Sequence, residues 1–155
     1  MQKIYILLLS ILMASCASIP QTQDKKQIDK VLNDWHHAAA VADENAFFGA
    51  FTDNGIYIGT NATEHWTAKE LQKWSAKAFA KESAWAFEPY DRHVYFSKDG
   101  NTAWFDELLN TWMGTCRGSG ILEKVKGEWK IAHYHLAVAV PNEKINDYLD
   151  LLKED

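Results

Sequence analysis

The chain has 155 residues, a formal net charge of −5 and 24% charged residues. That length suits one domain with a real core and leaves little room for a second. An acidic balance with no basic cluster argues against nucleic acid and anionic membrane surfaces as electrostatic partners.

At the N-terminus, Lys3 precedes an apolar run over 4–12, and small residues Ala14-Ser15 stand just before Cys16. A charged start, an apolar stretch and a small-residue cleavage site in that order read as an export signal. A membrane span needs ~20 apolar residues, and this run is shorter. Met13-Ala14-Ser15-Cys16 resembles the bacterial lipobox, with Met13 where Leu is usual. The expected organisation is a signal peptide over 1–15, a lipidated Cys16 on a tether over 16–23, and one domain over 24–155. Lipid on Cys16 would hold the protein to the cell envelope, with the periplasmic side of the outer membrane as the expected address. Removing the signal takes away only Lys3, so the charge moves from −5 to −6. With Cys16 lipidated, Cys116 has no partner for a disulfide and reads as a small apolar strand residue.

Beyond the tether, Asp24 is placed to cap a helix whose apolar positions Ile28, Val31, Leu32, Trp35, Ala38, Ala39 and Ala42 follow a 3.6-residue period. Asp43 closes it and caps a second, shorter helix over 44–51. Thr52-Asp53-Asn54-Gly55 reads as a turn, 56–59 as a short strand and 60–66 as a loop. Thr67-Ala68-Lys69-Glu70 is a capping box, and the helix it starts carries Leu71, Trp74, Ala78 and Phe79 on one face. From Trp85 the period changes to two, giving strands over 85–87, 92–97, 102–111, 113–124 and 128–138. Pro141 ends the last strand, and 143–152 can form a terminal helix. Helices first and long strands after them imply an α+β fold.

Five motifs carry a family resemblance. They are Phe51-Thr52-Asp53-Asn54-Gly55, the segment from Gly59 through His65-Trp66-Thr67, Thr102-Ala103-Trp104-Phe105-Asp106-Glu107, Gly114-Thr115-Cys116-Arg117-Gly118-Ser119-Gly120, and Trp129-Lys130-Ile131-Ala132-His133-Tyr134-His135-Leu136. Over 25–143 the chain resembles the SnoaL-like branch of the nuclear-transport-factor-2-like superfamily. The resemblance implies a cone-shaped α+β barrel, its N-terminal helices packed on the concave face of a strongly curved, mainly antiparallel sheet. It also implies a homodimer through the outer sheet face and a pocket between sheet and helices. It names no reaction, because one fold hosts many functions.

His133 and His135 are spaced i, i+2 on a strand, so both imidazoles point to one face. Trp129, Ile131 and Ala137 share that parity, which predicts a pocket wall; Tyr134 and Leu136 then fall on the other face, open to a dimer contact. An imidazole there could be a general base, a structural hydrogen-bonding group or, least favoured, a metal ligand with Glu107 or His93. No zinc spacing is present, and neither a metal nor a cofactor is expected. Glu107 and Arg117 lie on adjacent strands, as a pocket pair for an anionic group or as a solvated salt bridge. Asp106 has the opposite parity to Glu107, which is the preferred inward residue. Tyr57, His65, Trp66, Trp74 and Trp35 are expected to line the pocket from the helical side, with His93 beside them.

These residues support a small-molecule-binding lipoprotein whose ligand is partly apolar with an anionic or carbonyl group. A proton-transfer enzyme with His133 or His135 as base and Glu107 beside it is the alternative. A dimeric interaction module with no ligand is a third reading. The absence of a nucleophile motif and of a phosphate loop argues against acyl transfer and nucleotide chemistry.

Overall fold

The computed structural model describes residues 18–153, and side chains from residue 21. The expected signal over 1–15 and the lipidation position Cys16 lie outside the described residues. Among the described residues, no helix is long and apolar enough to cross a membrane.

Helix α1 runs Ser18–Ala40. It starts earlier than the Asp24 capping signal suggests, so part of the expected tether is helical. Asp24 is therefore no cap. Its carboxylate instead accepts from Lys124 Nζ at 2.8 Å and Trp129 Nε1 at 3.1 Å, tying the helix to the sheet. Burial opposes ionisation of Asp24, but those two hydrogen bonds and the Lys124 charge outweigh it and hold the carboxyl below its usual range. One stripe of α1, Ile28, Leu32, Trp35, His36 and Ala39, is buried at helical spacing.

Helix α2, Glu44–Gly49, is capped by Asp43, which accepts from Ala46 N at 2.9 Å. Strand β1, Phe51–Ile58, takes in the Thr52-Asp53-Asn54-Gly55 segment expected to turn. A register shift between Phe51 and Ile56 lets the strand pass through those polar residues. Gly55 is needed there, because a Cβ would stand 2.8 Å from the Phe51 ring and 3.1 Å from the Ile131 carbonyl oxygen. A short β2, His65–Thr67, appears where a loop was expected, and α3, Ala68–Phe79, starts from the full capping box between Thr67 and Glu70.

The strands β3 (Glu88–Phe96), β4 (Thr102–Thr111), β5 (Gly114–Val125) and β6 (Glu128–Val138) follow. Residues 85–87, expected as a strand, form none. A 3-10 turn over Asn142–Lys144 leads into α4, Ile145–Leu151. The sheet order is β2-β1-β6-β5-β4-β3, antiparallel except where β1 runs parallel to β6. The architecture is the expected α+β cone, with a sheet that stays open at β2 and β3 rather than closing into a barrel. The helices cover one face, and the core between them includes Phe47, Leu71, Phe105, Leu109, Ile131 and Tyr134.

Two bulges decide which side chains enter that core. In β6, His133 pairs with Ile121 while Ile131 pairs with Leu122, so Ala132 is an extra residue. In β3, Tyr90 faces Leu108 and His93 faces Asp106, leaving Asp91 and Arg92 together opposite Glu107. Asp91 takes the left-handed conformation at φ 49, which Asp tolerates better than most residues. Each inserted residue reverses the side-chain alternation beyond it.

Candidate functional site

Two polar or aromatic constellations stand inside the cone. The first is centred on Glu107, whose side chain is wholly buried on β4. Its Oε1 lies 2.7 Å from His36 Nε2 on α1, and its Oε2 accepts from Arg92 Nε at 2.7 Å. Arg92 Nη2 is also 2.7 Å from Oε2, an ion-pair distance at an angle too poor for a second hydrogen bond. Arg92 Nη1 donates to the Asp29 carbonyl at 3.2 Å, so one guanidinium joins α1, β3 and β4. Burial pushes the Glu107 carboxyl up, but the His36 hydrogen bond and the His36 and Arg92 charges outweigh it and hold it below the usual range. Tyr134 packs nearby, and burial together with the Glu107 charge raises its hydroxyl well above the ordinary range. A Cβ at Gly118 would collide with that hydroxyl and stand 3.2 Å from Glu107 Cγ, so glycine there makes room for both.

The second constellation is a cavity of ≈ 230 Å³ at the end of the sheet where β1 and β2 meet the β4–β5 turn. Tyr57, Trp66, Leu71 and Trp74 wall it from one side; Trp85, Phe87, Trp112, Met113 and Leu136 complete it, with Thr60 and Glu64 as polar groups. Trp66 and Trp74 rings sit 4.7 Å apart, and Tyr57 lies 6.4 Å from Trp66. Trp74 is 59% exposed and Trp112 84%, so the rim presents indole faces to solvent. Neither Glu107, His36 nor Arg92 lines this cavity.

The histidine pair expected on the pocket wall is on the other face. The Ala132 bulge carries Trp129 and Ile131 inward and turns His133 and His135 outward, while Tyr134 and Leu136 become the buried residues. Arg117 is also outside: it opposes Leu108 and approaches Asp106 Oδ1 at 3.4 Å on half-exposed side chains, so it does not pair with Glu107. His93 lies 3.5 Å from Asp106 and is exposed, and His65 is exposed on β2. Burial, with the charges of His135 and His65, keeps the His133 imidazole below its ordinary value. Trp35 is core rather than pocket, packed 4.6 Å from Tyr134 and 5.0 Å from Phe47. Of the expected lining, Tyr57, Trp66 and Trp74 reach the cavity. Among the described residues no group of His, Cys, Asp and Glu could hold a metal. Cys116 is a buried free thiol in the core.

The sequence profile of the SnoaL-like domain matches residues 28–141. The chain belongs to the SnoaL-like family. Among curated proteins, none matches it in sequence. Solved structures share the fold at low identity. A protein of unknown function from Mycobacterium tuberculosis is 16% identical over 86% of this chain and 82% of its own, with a TM-score of 0.70. A nuclear-transport-factor-2-like protein of unknown function from Pseudomonas putida is 13% identical over 79% and 92%, at 0.65. A candidate scytalone dehydratase from Novosphingobium aromaticivorans is 10% identical over 78% and 87%, at 0.64.

Within this SnoaL-like domain, sequence reasoning misses His36, Arg92, Trp85, Trp112 and Glu64. His36 had a usable signal, since it stands four residues after Leu32 on the apolar stripe of α1, whereas His37 is exposed. Arg92 had none, because regular alternation from Tyr90 would put it outside. Trp85 and Trp112 sit in connecting segments, where periodicity says nothing about direction.

Proposed function

We propose that this SnoaL-like protein is an exported lipoprotein that binds a small, largely apolar molecule in the aromatic cavity. The observation that carries the reading is the cavity itself. Five tryptophan and tyrosine rings converge on it, and two of the indoles stay largely solvent-exposed, where core packing alone would not place them. Its ≈ 230 Å³ is just under the range of about 300–1,000 Å³ common for small-molecule sites, so the ligand is compact. Anchoring through Cys16 would present this cavity to the envelope, where the ligand is met. The exposed outer-face rings Tyr90, Tyr95 and Trp104 support a homodimer through that face.

Calorimetric titration of the protein with indole tests the cavity. Saturable binding that Trp66→Ala abolishes is expected; binding unaffected by that change rejects the reading. Membrane fractionation of the full chain after metabolic palmitate labelling tests the anchor, with Cys16→Ala expected to release unlabelled protein.

Proton-transfer catalysis is the second reading, favoured by the 2.7 Å contact between His36 and Glu107, a carboxylate–imidazole pair of the kind that orients a base. Against it stand the complete burial of Glu107 and its absence from the cavity lining. Binding is therefore preferred.

A further inference from the structure

The cavity's ligand class follows from what its walls contain and what they omit. Four tryptophans and Tyr57 line it, along with one carboxylate, Glu64; no lysine, arginine or histidine does. Glu64 accepts a hydrogen bond from Asn61 N at 3.1 Å and has no cationic partner among the described residues. Its place is fixed: its carbonyl accepts from Gly59 N at 2.9 Å, and its side chain lies over Gly59 where any Cβ would collide.

We infer that the cavity is built for a compact organic cation whose charge is clad in alkyl groups, such as a quaternary ammonium head. This rests on the ligand-binding reading above and sharpens it. Aromatic faces carry negative potential and attract cations, most strongly tryptophan. Glu64 supplies the full countercharge, and the net negative charge of the chain favours the same partner. A bare ammonium is a compact, strongly hydrated charge that needs acceptors in place of its lost water, and most of this lining is aromatic or aliphatic. An alkylated cation needs none and gains contact with every ring. Burial, with the Glu64 charge, keeps the Tyr57 hydroxyl protonated, so it adds no second negative charge. The expectation of an anionic group, which depended on Arg117, does not survive the placement of that residue on the outer face.

The test compares choline with its uncharged isostere 3,3-dimethylbutan-1-ol by calorimetric titration, with indole as a neutral aromatic control. Choline is expected to bind at least roughly tenfold more tightly than the alcohol, a step of about 1.4 kcal/mol. Glu64→Gln and Trp74→Ala should each weaken choline about tenfold or more. The first change keeps an amide oxygen to accept from the Asn61 N–H, and Trp74 is at the exposed rim, so both variants should fold. Equal binding of choline and the alcohol overturns the inference while leaving the cavity a ligand site. So does binding of indole without choline. Failure of all three probes overturns the ligand-binding reading as well. A choline preference unchanged in both variants overturns the assignment to this cavity.

Discussion

The Glu107 cluster and the aromatic cavity lie within one cone and solve opposite problems. In the cluster, charged groups are sealed from water and paired with each other; in the cavity, the indoles of Trp74 and Trp112 are left facing water. The buried Glu107 carboxylate is bonded to His36 and Arg92, and these contacts tie α1 to β3 and β4. Rings exposed at a concave rim have contact area to offer, which a ligand can take up. Perturbed ionisation alone does not separate the two, since Tyr57 in the cavity is shifted as well as Glu107, and structural ion-pair clusters shift carboxyls as active sites do.

The strongest way to break this contrast is at Glu107. Glu107→Ala strands Arg92 in the interior, and a loss of about 3–5 kcal/mol in urea unfolding is expected. Replacing Glu107, His36 and Arg92 together by Leu, Leu and Met should restore most of it, because no buried charge is left unpaired. If the triple variant is well folded and still binds in the cavity, the cluster is a structural tie. Loss of binding in that folded variant would couple the two regions.

A second prediction uses pH. The folded Glu107 carboxyl sits below its ordinary value of 4.5, so the folded state favours the ionised form. The stability it contributes is fully present above about pH 4.5 and is lost as pH falls through the lower folded value, because the unfolded chain then binds more protons. Unfolding free energies measured from neutral pH down to about pH 3 should fall less steeply in Glu107→Gln than in the parent. An unchanged slope would remove Glu107 from the acid response.

The smallest effects are expected on the outer face. Arg117→Ala and His135→Ala should each change stability by less than about 0.5 kcal/mol, since both groups are exposed and the Asp106 contact of Arg117 is long. Neither should alter a cavity titration. A binding defect in His135→Ala would restore the histidine pair to the site and overturn the division drawn between the two sheet faces.

The amino-acid pattern is sufficient for much of this. The stripe from Ile28 to Ala39, the Thr67–Glu70 capping box and the change to period two beyond Trp85 specify helices, a cap and strands through interactions within a few residues of each other, although the first strand begins only at Glu88. Trp66 and Trp74 could be placed near a cavity once a curved sheet covered by helices was expected. What tertiary structure alone decided is direction. A single extra residue at Ala132 sent His133 and His135 outward and Tyr134 inward, and another at Asp91 delivered Arg92 to Glu107. Alternation has no memory of where a bulge falls, because the bulge is selected by pairing with a strand distant in sequence and by the packing that the reversal makes possible.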